Sequence, residues 1–164
     1  MSEYHVPVLL NQSVDGLVIN PDGVYVDATF GGGGHSAEIL RRLSPKGRLV
    51  SIDRDNDAHK NIIDDSRLSL VKGNYRYLRN FLAYYGIEKV DGVLADLGVS
   101  SHQFDVADRG FSFRMGGNLD MRMSEGTSRT AADVLNSASD EDLFRIVRNY
   151  CDIQNVGRLV NSVV

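Results

Sequence analysis

The stretch that decides the fold runs from Val24 to Ser36 and reads Val-Tyr-Val-Asp-Ala-Thr-Phe-Gly-Gly-Gly-Gly-His-Ser. A short β-branched and aromatic segment passes through Asp27 into four consecutive glycines, and a helix-like stretch follows at 37–43. Glycine permits a sharp turn and lets a ligand approach the backbone without a Cβ in the way. A glycine loop between a strand and a helix is typical of the nucleotide-binding corner of an open α/β sheet, and a merely flexible loop is the alternative.

Predicted strands and helices alternate around this corner. Strands are predicted at 25–29, 48–53, 68–72 and 91–96, and helices at 11–17, 34–43, 56–63 and 77–85. This spacing indicates right-handed βαβ units and a parallel sheet. Strands one, two and four end at or near Asp27, Asp53 and Asp96, so we expect three carboxylates to converge on one rim of the sheet.

The character of the chain changes after Asp96. Residues 97–129 are rich in glycine, serine, arginine and methionine, which predicts a long irregular loop, and 130–164 are predicted to be helical with Ser139 as a cap. The last apolar stripe has no terminator, and the fourth strand is apolar enough for a sheet interior. These features predict the N-terminal part of a longer protein, and a compact four-stranded domain with a helical cap is the alternative.

Composition excludes several classes of protein. A length of 164 residues with 42% hydrophobic and 24% charged residues indicates about one soluble domain, without a stretch as long as a membrane helix. The net charge of −4 means that any nucleic-acid contact must rest on a local patch. Cys151 is the single cysteine, which excludes an internal disulfide and suits the cytoplasm. A Walker A motif, a G-x-S-x-G elbow and metal-binding histidine spacing are absent, which disfavours NTPases and hydrolases.

The acid at the end of strand two predicts a ribose contact. Asp53 follows Gly33 by 20 residues, and a carboxylate there accepts hydrogen bonds from the adenosine ribose of either NAD or S-adenosylmethionine. Ser36 stands where a dinucleotide site usually has its third glycine. The spacing from Asp27 to Gly33 favours a ligand with an amino-acid tail, whose cationic group Asp27 would face. A structural cap on the loop is the alternative for Asp27.

Two later segments carry further candidates. Asp96 can face a cofactor or a substrate amine, and a loop cap is the alternative. Gln103 can donate and accept hydrogen bonds. His102 is a candidate base, and a surface residue is the alternative.

Segment 109–129 holds four arginines against two acids, with interleaved aromatics: Arg109, Arg114, Arg122, Arg129, Asp120, Glu125, Phe111 and Phe113. This composition predicts contact with unpaired RNA, and an ordinary packed loop is the alternative.

A set of motifs in one order now identifies a family. They are His5-x-Pro-Val-Leu-Leu, Asp27-x-Thr-Phe-Gly-Gly-Gly-Gly-His-Ser, Ile52-Asp-Arg-Asp, Asp91-Gly-Val-Leu-x-Asp-Leu-Gly-Val-Ser-Ser with Gln103, Arg109-Gly-Phe-Ser-Phe and Leu119-Asp-Met-Arg-Met. Together they resemble the bacterial small-subunit (16S) rRNA (cytosine-N4)-methyltransferase family, also called the MraW family. The resemblance covers nearly the whole chain. It implies a class I S-adenosylmethionine-dependent, Rossmann-like doubly wound α/β fold, truncated after four parallel strands, with part of an inserted helical domain.

The resemblance also implies the site residues. The family's cofactor contacts fall on Gly33, Gly34, His35, Asp53, Tyr75, Asp96 and Gln103. Tyr75 stands where phenylalanine is common, which keeps an aromatic for adenine. Gly116 and Asn118 replace an Asp and a Pro, and Ser124 replaces an acid. These departures affect the substrate loop rather than the cofactor site. The implied domains are a cofactor-binding core at 1–104 and a substrate loop with the start of the helical insert at 105–164.

Three functions are consistent with the sequence. The leading hypothesis is methylation of a cytidine N4 in small-subunit ribosomal RNA or the ribosomal subunit, in the cytoplasm and without a membrane, with Asp96 aligning the amine. The second is a nicotinamide-dependent oxidoreductase, which needs a pyrophosphate at the glycine loop. The third is a non-catalytic fragment that keeps half a cofactor site and pairs through its fourth strand into a homodimer.

Overall fold

The computed structural model describes residues 7–124 and 126–163, so His5, Val6, Glu125 and Val164 of the predicted motifs and patterns lie outside the described residues. The chain divides into two compact units, the first ending at Ser100 and the second beginning at Ser101. The first unit contains α1 (Leu10–Leu17), β1 (Val24–Asp27), α2 (Gly34–Arg42), β2 (Arg48–Asp53), β3 (Leu68–Lys72), α3 (Leu78–Tyr84) and β4 (Gly92–Leu94). The second contains α4 (Ser101–Asp105), α5 (Ala131–Ser137), α6 (Asp140–Tyr150) and α7 (Val156–Val163).

The sheet of the first unit is parallel, as predicted. Its strand order is β3-β2-β1-β4, and Val26 of β1 lies opposite Val50 of β2 and Val93 of β4. All four strands therefore end at one edge, which we call the rim together with the segments that directly follow each strand. The α/β class and the four-stranded parallel sheet predicted from the sequence are confirmed.

Apolar side chains cover both faces of the sheet. On one face, Val14 of α1 and Ile39 of α2 pack with Leu49 of β2, and all three are fully buried. On the other face, Val26 and Val50 contact apolar residues of α3 and its flanks, including Leu78, Phe81 and Leu82. Interior strands of a parallel sheet need this double covering because both of their faces are apolar. The layering agrees with a doubly wound arrangement.

The predicted helix at 56–63 is wrong. The structure has only a single 3-10 turn at Ala58–Asn61. The preceding acids explain the difference, because Asp53 Oδ1 accepts from the Asp55 N–H at 2.8 Å and Asp55 Oδ1 accepts from the Asp57 N–H at 3.1 Å. Such local side-chain bonds offer the backbone an alternative to helical hydrogen bonds. The segment is a series of turns at the rim.

The loop predicted at 97–129 needs correction, because α4 and a 3-10 turn at Ala107–Arg109 interrupt it. The fourth strand has the apolar composition of a sheet interior, yet it pairs only with β1 among the described strands, and Val93 is 46% exposed. An apolar strand at the edge of the described sheet agrees with the prediction that the chain is the N-terminal part of a longer protein.

Two helices of the second unit, α5 and α6, begin at side-chain caps. Thr130 and Asp133 form a capping box at α5, in which the Thr130 hydroxyl accepts from the Asp133 N–H at 3.0 Å. At α6 the Ser139 hydroxyl accepts from the Asp142 N–H at 3.2 Å, which confirms the predicted cap. These bonds satisfy N–H groups that a helix cannot pair internally. Among the described residues, every helix is too short or too polar to cross a membrane.

Glu38 on α2 forms ion pairs with two arginines of the same helix. Its carboxylate accepts hydrogen bonds from Arg41 and Arg42, at 2.7 and 2.8 Å, and these bonds lower the pKa of Glu38 from about 4.5 to about 2. The folded-state pKa is depressed, so the charged pair stabilises the protein above pH 4.5 and this contribution is lost as the pH falls towards 2. We expect Glu38→Gln to lower the free energy of unfolding by about 0.5–1 kcal/mol near neutral pH.

Urea unfolding of both proteins over a range of pH checks this expectation. The difference between the wild type and Glu38→Gln should shrink steadily as the pH is lowered below 4.5. Glu88→Gln is the control, since Glu88 is exposed in the turn after α3. A difference that stays constant with pH would show that the lost stability comes from packing of Glu38 and not from its charge.

Candidate cofactor site

The glycine corner joins β1 to α2 and bends twice through the left-handed region. Gly31 has φ +52° and Gly33 has φ +80°, values that L side chains rarely adopt. A Cβ on Gly33 would lie 3.0 Å from Phe30 Cζ, a tight contact, and the backbone geometry favours glycine there. Among the described residues that are not its chain neighbours, only the Thr29 carbonyl oxygen would lie within 4 Å of a Cβ on Gly31, at 3.9 Å. The loop therefore leaves open space beside Gly31, where a ligand can approach the backbone.

Gly34 serves a different purpose. A Cβ on this residue would lie 2.4 Å from Pro7 Cγ and 2.8 Å from Pro7 Cδ. The segment before α1 thus packs directly against the first turn of α2, and glycine makes this close approach possible. Two of the motifs that are distant in sequence meet at this contact.

Asp53 is fixed by backbone donors at the end of β2. Its Oδ2 accepts from the Gly31 N–H at 2.9 Å and its Oδ1 accepts from the Asp55 N–H at 2.8 Å. Its carbonyl oxygen accepts from the Gly73 N–H at 2.9 Å. Each carboxylate oxygen has two acceptor positions, so each keeps one beyond these backbone bonds. Asp53 can therefore accept two further hydrogen bonds from a ligand while its orientation stays fixed.

His35 is a buried polar residue with an unsatisfied atom. The side chain is 6% exposed, and among the described residues no group forms a hydrogen bond with its Nε2. His35 also lines a cavity of about 160 Å³ together with Ser13, Leu94 and Asp96. Buried polar atoms without partners are rare and costly, which favours a ligand or water as the missing partner.

The remaining rim candidates follow β3 and β4. Tyr75 opens a 3-10 turn two residues after Gly73, the residue that is hydrogen-bonded to Asp53, and its side chain is 49% exposed. Asp96 is exposed, and its backbone N–H donates to Thr29 Oγ1 at 2.8 Å. An exposed aromatic ring and an exposed carboxylate thus stand on the same edge of the sheet as the glycine corner.

Asp27 acts as a structural cap on the loop. The residue is fully buried, its Oδ2 accepts from the Ser36 hydroxyl at 2.6 Å, and its Oδ1 accepts from the Thr29 N–H at 3.0 Å. Burial raises the pKa of Asp27, and the hydrogen bond from Ser36 partly offsets that effect. The structure therefore corrects the expectation that Asp27 faces a cationic group of the ligand.

The first unit contains all but one of the predicted site residues. Gly33, Gly34, His35, Asp53, Tyr75 and Asp96 belong to it, and they lie at or beside its rim. Gln103 belongs to the second unit, where it lies on α4 with a buried side chain. His102, the weaker candidate base, is also on α4.

The arginine-rich segment uses much of its charge internally. Arg122 forms a two-pronged ion pair with Asp120, with Nε–Oδ1 and Nη2–Oδ2 distances of 2.9 and 2.7 Å, and this pairing lowers the pKa of Asp120. Arg109 donates to the Arg122 carbonyl at 3.1 Å. Phe113, by contrast, is 98% exposed. The packed-loop alternative describes Arg109 and Arg122, while Phe113 and the adjacent exposed Arg114 keep the properties expected of an RNA contact.

Sequence reasoning missed the residues that hold the rim together. The Asn61 amide donates to the Gly31 carbonyl at 3.2 Å, and His59 Nε2 lies 3.0 Å from the Asp53 carbonyl oxygen. Thr29 accepts from the Asp96 N–H. The position of Thr29, two residues after Asp27 in the strand-one motif, could have indicated its role at the rim. Asn61 and His59 fall in the segment predicted as a helix, and nothing in the sequence indicates their contacts with the rim.

The comparisons with known proteins agree on one family. A family model described as the MraW methylase family matches residues 2–164. Ribosomal RNA small subunit methyltransferase H of Phocaeicola vulgatus is 58% identical over 161 residues, which are 98% of this chain and 53% of that relative. The protein of the same name from Christiangramia forsetii is 54% identical over 164 residues, which are 100% of this chain and 54% of that relative. The chain spans about half the length of these curated relatives.

Proposed function

Since the chain belongs to the MraW methylase family, we propose that it forms the cofactor-binding part of an enzyme that methylates the exocyclic N4 of a cytidine in small-subunit ribosomal RNA. The proposed cofactor is S-adenosylmethionine, and the proposed place is the cytoplasm. The observation that carries the proposal is Asp53, which is held by the Gly31 N–H and keeps an acceptor position on each carboxylate oxygen. The two hydroxyls of an adenosine ribose are two donors, which matches these two positions.

The residues present fit S-adenosylmethionine in four respects. Asp53 matches the ribose, and the open space at Gly31 admits a ligand against the backbone. Tyr75 offers a half-exposed aromatic ring for adenine. The unsatisfied His35 Nε2 and the neighbouring carboxylate of Asp96 offer polar partners for the amino-acid end. We assign His35, Asp53, Tyr75 and Asp96 to the cofactor on these grounds, and Gly33, Gly34 and Gln103 on the family resemblance.

The nicotinamide alternative is less well supported by the same corner. A pyrophosphate on a dinucleotide-binding loop lies at the N-terminus of the helix that follows. Here Pro7 already occupies the space beside Gly34 in the first turn of α2. Ser36, at the place of the third glycine, is fully buried and bonded to Asp27. Both observations favour a ligand that does not place phosphates on α2.

In the proposed reaction the protein mainly positions the reactants and accepts a proton. When bound, S-adenosylmethionine supplies a methyl group on a positively charged sulfur that is a good leaving group. The N4 lone pair of cytosine is delocalised into the ring, which makes N4 a weak nucleophile. A carboxylate that accepts a hydrogen bond from the N4 amine raises the nucleophilicity of N4 and can take the N4 proton later. Asp96, exposed at the end of β4, is the proposed acceptor. The target base must be unpaired or leave its stack before its N4 can reach this group.

The substrate is proposed to contact the segment at 105–164, and the core is proposed to span 1–104. Support comes from Phe113 and Arg114 in the second unit, an exposed aromatic ring beside an exposed cation. Aromatic rings stack on unpaired bases, and arginine binds phosphates. The net charge of −4 makes such a local patch necessary for binding RNA.

A methylation assay tests the proposed function. The chain is incubated with S-adenosylmethionine and small-subunit ribosomal RNA, and N4-methylcytidine is measured by mass spectrometry after digestion of the RNA to nucleosides. We expect N4-methylcytidine to accumulate, and Asp96→Asn to slow it by about 10-fold, the effect of one lost charged hydrogen bond. Asp64→Asn is the matched control, because Asp64 is an exposed acid that precedes β3. RNA that stays unmethylated by a folded chain that binds the cofactor would contradict catalysis by this chain alone, and a folded chain that binds no cofactor would contradict its role as the cofactor-binding part.

A further inference from the structure

Thr29 connects the glycine corner to the segment that carries Asp96. The last backbone bond between these segments runs from the Ala28 N–H to the Leu94 carbonyl at 2.8 Å. Beyond it, the Asp96 N–H donates to Thr29 Oγ1, also at 2.8 Å. A side-chain hydroxyl thus takes the place of the backbone carbonyl that would otherwise continue the pairing of β1 with β4.

Thr29 also contacts the buried carboxylate of Asp27. The hydroxyl oxygen lies 3.5 Å from Asp27 Oδ1, a long contact, and the same carboxylate oxygen accepts from the Thr29 N–H at 3.0 Å. Asp27 is fixed in turn by Ser36, whose hydroxyl lies 2.8 Å from that of Ser51. These groups lie on β2, α2 and β1, so the chain of hydrogen bonds starts in the rigid core of the unit. In such chains each bond polarises the next.

We infer that Thr29 is a positioning residue for Asp96: its hydroxyl fixes the backbone N–H of Asp96 and thereby sets where the Asp96 carboxylate stands on the rim. This inference rests on the proposed function for the role of Asp96 and on the hydrogen bonds above for the role of Thr29. Asp96 is exposed and follows an edge strand of three residues, so few other contacts restrain its backbone. A valine at position 29 would keep the shape of the side chain but could not accept the hydrogen bond.

Two variants separate the hydroxyl from the methyl group. Thr29→Val removes the acceptor, whereas Thr29→Ser keeps it and removes only the methyl. Hydrogen exchange of the Asp96 backbone amide, followed by NMR, reports the hydrogen bond directly and needs no ligand. We expect exchange at Asp96 to be about 5- to 10-fold faster in Thr29→Val, the size of one lost hydrogen bond, and unchanged in Thr29→Ser. If Thr29→Val fails to fold, Thr29→Ala carries the same expectation.

A double-mutant comparison tests whether Thr29 acts through Asp96. The affinity for S-adenosylhomocysteine is measured by calorimetry for Thr29→Val, for Asp96→Ala and for the double variant. We expect Thr29→Val to weaken binding several-fold in the wild type and to have no further effect once Asp96 is alanine, because coupled residues are not additive. An equal loss in both backgrounds would overturn the positioning role, as would unchanged amide exchange in Thr29→Val. A chain that binds no S-adenosylhomocysteine would refute the proposed cofactor, and the exchange measurement would still decide the role of Thr29.

Discussion

Replacement of Asp53 by alanine is expected to weaken the binding of S-adenosylhomocysteine by about 10-fold to 150-fold, or about 1.5–3 kcal/mol. The physical reason is the loss of charge-assisted hydrogen bonds from the ribose hydroxyls to a carboxylate at the end of β2. The backbone N–H groups of Gly31 and Asp55 also lose their acceptor, which loosens the glycine corner. Isothermal titration calorimetry of the wild type and the variant measures the difference.

Two further variants make the Asp53 experiment specific. Asp64→Ala removes an exposed acid that precedes β3, and its affinity should equal that of the wild type. Asp53→Asn keeps one oxygen acceptor for the backbone while removing the charge, so its affinity should lie between those of the wild type and Asp53→Ala. Circular dichroism must first show that each variant is folded. An affinity unchanged by Asp53→Ala would refute the ribose contact.

Replacement of Gly110 by alanine is expected to destabilise the second unit by about 2–5 kcal/mol. Gly110 has φ +69°, and a Cβ there would lie 2.4 Å from the Asn118 carbonyl oxygen and 2.6 Å from the Asp120 nitrogen. These are backbone atoms, so the clash cannot be relieved by a side-chain rotation. The surrounding hydrogen bonds, such as that from the Met121 N–H to the Arg109 carbonyl at 3.0 Å, would have to break.

Limited digestion with trypsin follows this effect locally. Cleavage after Arg109 and Arg122, which are held by internal hydrogen bonds, should become much faster in Gly110→Ala. Gly116→Ala is the matched control from the same segment, because in the described part of the chain a Cβ there meets nothing within 4 Å and the φ of Gly116 is not positive. Its stability should stay within about 0.5 kcal/mol of the wild type. Equal cleavage rates for both variants would show that the close contact at Gly110 is relieved without cost.

Strands were predictable where the local pattern and the fold agree. The strands at 48–53 and 68–72 have the predicted bounds, because a short apolar run between turn residues is too short for a buried helix and favours a buried strand. The helix at 56–63 failed because its apolar spacing resembled a helix, while Asp53 and Asp55 bind the backbone two residues ahead and favour turns. Propensity and periodicity do not register this competition between side chain and helix.

The candidate site was predictable in outline but not in its internal bonds. The place of Asp53 on the rim could be predicted because parallel strands all end at the same edge of a sheet, and its contact with a ligand stays a prediction. The bond between Thr29 and Asp96 depends on β4 lying beside β1, a pairing of strands that are separated by two others in sequence. The burial of Asp27 and the internal use of Arg109 depend on packing in the same way, and charge alone did not reveal either.

We propose that the first unit binds S-adenosylmethionine and not a dinucleotide. The most direct test is calorimetric titration of the folded 164-residue chain with S-adenosylhomocysteine, with NAD⁺ and NADH titrated in parallel. We expect micromolar binding of S-adenosylhomocysteine and no measurable binding of either nicotinamide nucleotide. Binding of NAD⁺ or NADH in preference, or a folded chain that binds none of the three, would contradict it.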